Sequence, residues 1–300
     1  MDIRIFGPAF NVGKTIVTLI EEFADVQQVL KRKGHNLQVL LMNDNSTDNT
    51  GKLMDQSAKK YKWLEVRHNA TNLGNSANII AGYTWGAESD ADIVGCMDTD
   101  GEHSPYAMIR HISMIERGVC DGISGSIIFP DHHVDRKAIE KTMLEINTLG
   151  TSGNEDVLKK ALEIMSQLSA EVFLCDDHND RNMMRFWGRM QSTMAGVDGT
   201  FYIQSPGYNL HQRHKVAEAL VLFENYRRFF AENTDEPFPK WGMHGVFIYL
   251  LSVGTGEHIK AVYLECFGKS PNRTPDKLLL QANAANTHSM RLLKFMPGKA

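Results

Sequence analysis

Three carboxylates occupy alternate positions in the segment Cys96-Met97-Asp98-Thr99-Asp100-Gly101-Glu102-His103-Ser104-Pro105. The apolar run Ala91–Met97 ahead of them reads as a buried strand, so Asp98, Asp100 and Glu102 fall at and beyond its carboxyl end. Alternate residues of an extended segment point to one side, so the three carboxylates converge and repel one another unless a cation lies between them. A hard divalent ion, Mg²⁺ or Mn²⁺, accepts such oxygen ligands and would bridge them to a diphosphate. The competing reading is an acidic turn that caps a helix beginning near Ser104-Pro105.

A second polar segment, Asn43-Asp44-Asn45-Ser46-Thr47-Asp48-Asn49-Thr50, follows the apolar strand Leu37–Met42. An aspartate at such a strand end can accept from a nucleobase N–H or a ribose hydroxyl. Ser46, Thr47 and Asp48 suit an Asx turn and the cap of the next helix, which leaves Asp44 for function. A third segment, Asn69-Ala70-Thr71-Asn72-Leu73-Gly74-Asn75-Ser76-Ala77, is a small-residue loop opening a helix. Its backbone N–H groups can approach phosphate or sugar oxygens, or Ser76 simply caps the helix.

The elements that must position these segments alternate in type. Ile3–Phe6 is a short apolar strand closed by Gly7-Pro8, and Thr15–Lys33 has helical spacing at Ile16, Leu19, Ile20, Phe23, Val26 and Leu30. Asp48–Tyr61 reads as a helix, Leu64–Val66 as a strand and Ser76–Ala87 as a helix. This β-α-β-α-β rhythm predicts an α/β doubly wound sheet with right-handed crossovers, and ligands in such sheets sit beyond the carboxyl ends of the strands. The stretch from Val134 to Leu168 is polar and helix-prone with a break at Thr148–Asn154; it reads as a helical insertion, about 132–180, too short for its own core. Helices follow at Arg181–Met194 and Ala217–Phe230, then apolar segments at Val246–Val253 and Ile259–Leu264, then a terminal helix at Asp276–Phe295 packing back.

Composition narrows the function classes. The 300 residues carry a formal net charge of -4, which argues against a dedicated nucleic-acid binder. Cys96, Cys120, Cys175 and Cys266 stand far apart, as expected of reduced thiols in a cytoplasmic protein. No apolar run approaches the roughly 20 residues of a membrane helix, so any membrane role is peripheral. Gly13-Lys14-Thr15 invites a phosphate-loop reading, but five residues separate Gly7 from Gly13 where the pattern needs four. Asp176-Asp177-His178-Asn179-Asp180 reads as an exposed loop and Arg181, Arg185 and Arg189 as a solvated helix face, while His132-His133 has no obvious third ligand.

Pro8-Ala9-Phe10-Asn11, then Asn43 to Asp48, then Asn72-Leu73-Gly74 with Ala77, then Asp98 to His103 occur in that order. Their order and spacing resemble glycosyltransferase family 2, with the last element similar to the polyprenyl-phosphate (dolichyl-phosphate) mannosyltransferase branch. The resemblance runs over roughly residues 3–127. It implies a single GT-A domain: a Rossmann-like, mostly parallel sheet flanked by helices, with a nucleotide-sugar half at about 1–130 and an acceptor-side half at about 181–300. It implies inverting transfer from a UDP- or GDP-sugar, with Mg²⁺ or Mn²⁺, and with a polyprenyl phosphate, a small metabolite or a modified polymer such as DNA as the acceptor. By the same resemblance Phe10 and Asp44 hold the nucleobase and ribose, beside Pro8, Asn11, Asn72, Gly74 and Thr99. Asp98 and Asp100 form the DxD pair at the diphosphate and metal, with Glu102 as a third ligand. Phe201–Arg213 falls at an acceptor-side loop, Cys120–Ser126 at the strand after the DxD, and Lys269 and Arg273 at the donor phosphates.

Three positions depart from the pattern. Trp241-Gly242-Met243-His244-Gly245 offers no carboxylate where the family has its acidic base, leaving His244 as general base or metal ligand. An acceptor that is already a phosphate anion needs no base. Ile127 stands where an arginine is common, and Phe10-Asn11-Val12 lacks the usual acidic residue after the asparagine. Two rival classes remain: a nucleotide-sugar-binding protein without transfer activity, and a phosphate-loop nucleotide hydrolase that would depend on Lys14.

Overall fold

β1 (Asp2–Ala9), β2 (Asn36–Asn43), β3 (Leu64–His68) and β4 (Ile93–Met97) form a parallel set in which β1 pairs with both β2 and β4. The computed structural model describes residues 1–101, 103–128, 207–240 and 242–265, and positions 288, 291, 292 and 295. Among the described residues the sheet has seven strands in the order β3-β2-β1-β4-β6-β5-β7, completed by β5 (Gly122–Ile128), β6 (Tyr208–Gln212) and β7 (Ile259–Glu265). Only β6 runs antiparallel to its neighbours β4 and β5. The helical insertion, the Arg181–Met194 helix, Asp176–Asp180 and His132-His133 lie outside the described residues.

Strand alternation divides the core into two layers. Ile3, Ile5, Leu37, Val39, Leu41 and Met97 point to the face covered by α1 (Ile16–Arg32), α2 (Thr50–Lys60) and α4 (Ala107–Glu116). Phe6, Leu40, Met42, Val94 and Cys96 point to the other, covered by α3 (Asn75–Ala87), α5 (Arg213–Glu232) and α6 (Met243–Tyr249). Close approach fixes α3: a Cβ at Gly82 would overlap the Phe6 ring, and one at Gly86 would overlap Val94. Tyr83 stacks on Phe247 with ring centroids 4.3 Å apart and 6° between planes, joining α3 to α6.

The first strand is longer than its sequence predicts, running through Gly7-Pro8 to Ala9. Pairing with β4 stops at Phe6 while pairing with β2 continues to Ala9, so proline's missing N–H falls where the β4 side has no ladder to supply. The longest apolar run is helical: α6 passes directly into a π-turn over Leu250–Gly254. Tyr208–Gln212 is no acceptor-side loop; it is a buried central strand. Its polar residues find partners inside. Asn209 Oδ1 accepts from Tyr83 Oη at 2.6 Å and from the Cys96 N–H at 3.3 Å, and His211 Nδ1 meets Glu257 Oε2 at 2.8 Å. In the last stretch, His288, Arg291, Leu292 and Phe295 are helical, with His288 and Phe295 against Tyr226 of α5.

Candidate functional site

The loops after β1 and β2 are stapled together by reciprocal hydrogen bonds. The N–H groups of Asn11, Val12 and Gly13 donate to Ser46 Oγ, Thr50 Oγ1 and Asp48 Oδ2 at 3.0, 2.9 and 3.0 Å. In return Asn11 Oδ1 accepts from the Thr47 N–H at 2.9 Å. Both loops need a left-handed residue to turn, and Asn11 (φ 53) and Asn45 (φ 58) supply it, asparagine being among the few non-glycine types that tolerate this conformation. Ser46 and Thr50 therefore satisfy the neighbouring loop, while Asp48 also accepts from the Thr50 N–H at 2.9 Å, close to its expected capping role. Burial raises the Asp48 carboxyl, and the bonds from Thr50 and Gly13 outweigh it, leaving the group below its ordinary value.

Consecutive N–H groups that would have to cradle a phosphate are thus consumed, and Lys14 is exposed. This removes the physical basis of a phosphate loop at Gly13-Lys14-Thr15.

Asp44, only 4% exposed, organises the third segment. Its Oδ1 accepts from Asn69 Nδ2 and from the Leu73 N–H, both at 2.8 Å, and Oδ2 accepts from the Gly74 N–H at 2.9 Å. Asn72 Nδ2 donates to the Asp44 carbonyl oxygen at 3.1 Å. Gly74 (φ 84), not Ser76, sits at the N-cap of α3. The N–H groups there are already spoken for: Leu73 and Gly74 by Asp44, Ser76 by the Lys240 carbonyl oxygen at 3.0 Å. That last bond brings the approach to α6 onto the α3 N-terminus. His244 lies in the first turn of α6.

At the end of β4, Asp98 and Asp100 are half-buried and Thr99 is buried. Thr99 Oγ1 donates to the Pro8 carbonyl oxygen at 2.7 Å, and Thr15 Oγ1 donates to the Thr99 carbonyl oxygen at 3.1 Å. A Cβ at Gly7 would stand 2.7 Å from Thr99 Cγ2, so glycine permits this approach. Behind the carboxylates lie His103, 2% exposed, and Tyr208, with ring centroids 6.4 Å apart. Tyr208 Oη is 2.8 Å from His111 Nδ1. Burial, and then the neighbouring Arg110, pull His111 down to about 4.

The structure thus gathers Pro8, Phe10, Asn11, Asp44, Asn72, Gly74, Asp98, Thr99 and Asp100 at the carboxyl ends of the neighbouring strands β1, β2 and β4 and in the connected loops beyond them. Glu102, Lys269 and Arg273 lie outside the described residues. Among the described residues no group of three His, Cys, Asp or Glu side chains is placed to hold a metal. The two oxygen donors Asp98 and Asp100 nevertheless fit a hard cation, and the missing Cβ of Gly207 leaves the room Asp98 occupies. Sequence reading missed Thr15 and Gly207. Thr15 acts through its hydroxyl and Gly207 through its carbonyl oxygen, each on a residue distant along the chain, which no local pattern signals.

Comparison with known proteins gives the same picture. The family model of Glycosyl transferase family 2 matches residues 5–170. An undecaprenyl-phosphate mannosyltransferase of Micrococcus luteus is 28% identical over 106 residues, 33% of this chain and 44% of that protein. A polyprenol monophosphomannose synthase of Mycolicibacterium smegmatis is 27% identical over 107 residues, 34% of this chain and 40% of that protein. The chain therefore spans less than half the length of these curated relatives. Mannosyl-3-phosphoglycerate synthase of Rubrobacter xylanophilus superposes with a TM-score of 0.54 at 14% identity, covering 98% of this chain and 74% of that one. Glucosyl-3-phosphoglycerate synthase of Mycobacterium tuberculosis, in complex with Mn²⁺, UDP and glucosyl-3-phosphoglycerate, gives 0.51 at 13% identity, covering 98% and 79%. At these identities the likeness establishes the fold, which is GT-A. With the family match extending over more than half of its length, the chain belongs to glycosyl transferase family 2.

Proposed function

We propose that this protein transfers a sugar from a UDP- or GDP-linked donor, with inversion, to a polyprenyl phosphate. One observation carries the reading. The ends of β1, β2 and β4, which bear the nucleotide- and diphosphate-facing residues, are tied into one unit by Asn11–Thr47, Asp44–Gly74 and Thr99–Pro8. The two curated relatives, an undecaprenyl-phosphate mannosyltransferase and a polyprenol monophosphomannose synthase, favour a polyprenyl phosphate.

Each residue then has a task. Phe10 lies against the nucleobase, with Pro8 and Asn11 shaping the loop. Asp44 already accepts three hydrogen bonds that fix the Asn69–Gly74 loop, and its remaining acceptor capacity faces the ribose or base. Asp98 and Asp100 would hold Mg²⁺ or Mn²⁺, with Glu102 as the third ligand the resemblance implies, and the ion would supply Lewis acidity for loss of the diphosphate. By the same resemblance Lys269 and Arg273, outside the described residues, would add positive charge at the diphosphate. His244 belongs to the first turn of α6, and we assign it to the acceptor side by the family resemblance alone. A phosphate acceptor arrives as the anion and needs no carboxylate base there. Among the described residues no helix is long and apolar enough to cross a membrane.

The experiment is a matrix of UDP- and GDP-sugars against a short-chain polyprenyl phosphate in detergent and a set of water-soluble acceptors, read by mass spectrometry. A glycosyl lipid phosphate supports the proposal, and a glycosylated soluble acceptor reassigns the substrate. No product and no nucleotide release from any pair overturns the transferase reading.

A further inference from the structure

We infer that Gly207, the residue before β6, is a positioning residue that holds the Asp98 carboxylate at the donor site. The inference rests on the reading of Asp98 as a diphosphate- and metal-facing group. Gly207 touches Asp98 twice. Its carbonyl oxygen accepts the Asp98 N–H at 2.6 Å, one step beyond the pairing of Met97 with Tyr208. A Cβ added to Gly207 would overlap Asp98 Oδ2, and would stand 2.8 Å from Asp98 Cγ and 2.9 Å from His103 Nε2.

Those nearest obstacles all belong to two side chains of the DxD segment. At Gly7 and Gly95 the obstacles include the backbone oxygens of Met97 and Asn209, so those glycines serve the packing of the sheet itself. Nor does Gly207 have a left-handed backbone; it is not among the glycines with positive φ. An alanine there is conformationally permitted, and its one effect is to claim the space of the carboxylate. Retreat toward the core is closed, because His103 is buried on that flank with Tyr208 behind it. The carboxylate must swing outward, away from the position that Thr99 and Pro8 fix for its neighbours. The residue leading into β6 thus contributes to the donor site through an absence of side chain, although the strand itself is buried.

The test compares Gly207→Ala, Asp98→Ala and the double variant in the full chain. Mn²⁺ affinity in the presence of UDP or GDP is measured by the electron paramagnetic resonance of free Mn²⁺, beside nucleotide affinity in chelator and the midpoint of thermal unfolding. Gly207→Ala is expected to weaken Mn²⁺ affinity about tenfold to a hundredfold, the range for a residue that orients a ligand. The melting midpoint and the chelator-state nucleotide affinity stay near wild type, and the double variant is no worse than Asp98→Ala. Should Gly207→Ala melt early, recovery of the midpoint in the double variant supports the overlap with Asp98, and failure to recover overturns the inference. Wild-type Mn²⁺ affinity in Gly207→Ala, with a loss in Asp98→Ala, overturns the inference and leaves the functional reading standing. Undiminished affinity in Asp98→Ala sinks that reading as well.

Discussion

The Thr99 hydroxyl donates to the Pro8 carbonyl oxygen across 2.7 Å, fastening the middle of the Asp98-Thr99-Asp100 segment to the end of the first strand. The Thr99 carbonyl oxygen is in turn held by Thr15, at the start of α1. Loops that must carry two like charges side by side are thereby given a fixed backbone, and the cost of their repulsion is met before any ligand binds. Preorganisation of this kind leaves less to be ordered on binding.

Thr99→Val keeps the shape of the side chain and removes the donor, leaving the half-buried Pro8 carbonyl oxygen without it. The expected loss is about 1–3 kcal/mol of unfolding free energy in urea titrations, together with weaker nucleotide-sugar binding. Thr99→Ser, which retains the hydroxyl, recovers most of both. Equal behaviour of the two variants contradicts this account.

Asp44→Ala leaves the Leu73 and Gly74 N–H groups and the Asn69 amide without their acceptor. The predicted cost is on the order of 3 kcal/mol, since each bond to a charged acceptor contributes about 1.5–3 kcal/mol and part of the exposed loop regains water. Hydrogen exchange at Leu73 and Gly74 should accelerate well beyond that of the β2 core. Uniform acceleration throughout the sheet instead means that Asp44 supports global stability alone.

The parallel half of the fold is legible in the sequence because its strands are nearly continuous apolar runs and its helices keep one apolar face. Leu37–Met42 can hardly be anything but a buried strand. β6 is not legible, for a physical reason. Tyr208-Asn209-Leu210-His211-Gln212 carries polar groups that are buried only because Tyr83, Cys96 and Glu257, distant along the chain, complete their hydrogen bonds. Resemblance therefore placed a loop where the structure has a central strand. The site divides in the same way. Asp98, Asp100 and Asp44 announce themselves at strand ends, whereas the staples through Asn11, Ser46 and Thr15 depend on loop geometry that no spacing rule encodes.

Lys14→Ala should leave nucleotide release from the sugar donor unchanged. Lys14 is exposed, and the neighbouring N–H groups of Asn11, Val12 and Gly13 are bonded to the β2 loop. A purified sample should show no ATP or GTP hydrolysis above background. Loss of nucleotide turnover in Lys14→Ala contradicts the account and restores a phosphate-loop role.

Acid should destabilise the fold through His111. Its folded-state value of about 4 lies below the ordinary 6.5, so the unfolded chain binds a proton that the folded chain refuses. Stability is intact above 6.5 and falls as pH drops toward about 4, by roughly 1.4 kcal/mol per pH unit for one proton. Below that window the contribution is flat. Urea midpoints from pH 7 to 4 should fall more steeply in wild type than in His111→Asn; parallel slopes refute the assignment.

The central claim is that the carboxylates after β4 hold the donor diphosphate through a divalent ion. Asp100→Asn keeps the size of the side chain and removes its charge, and nucleotide release from UDP- and GDP-sugars is measured in Mn²⁺ and in chelator. The account predicts release of one nucleotide by wild type in Mn²⁺, none in chelator, and a loss of at least about a hundredfold in the variant. Wild-type release that persists in chelator, or an Asp100→Asn protein as active as wild type, would contradict it.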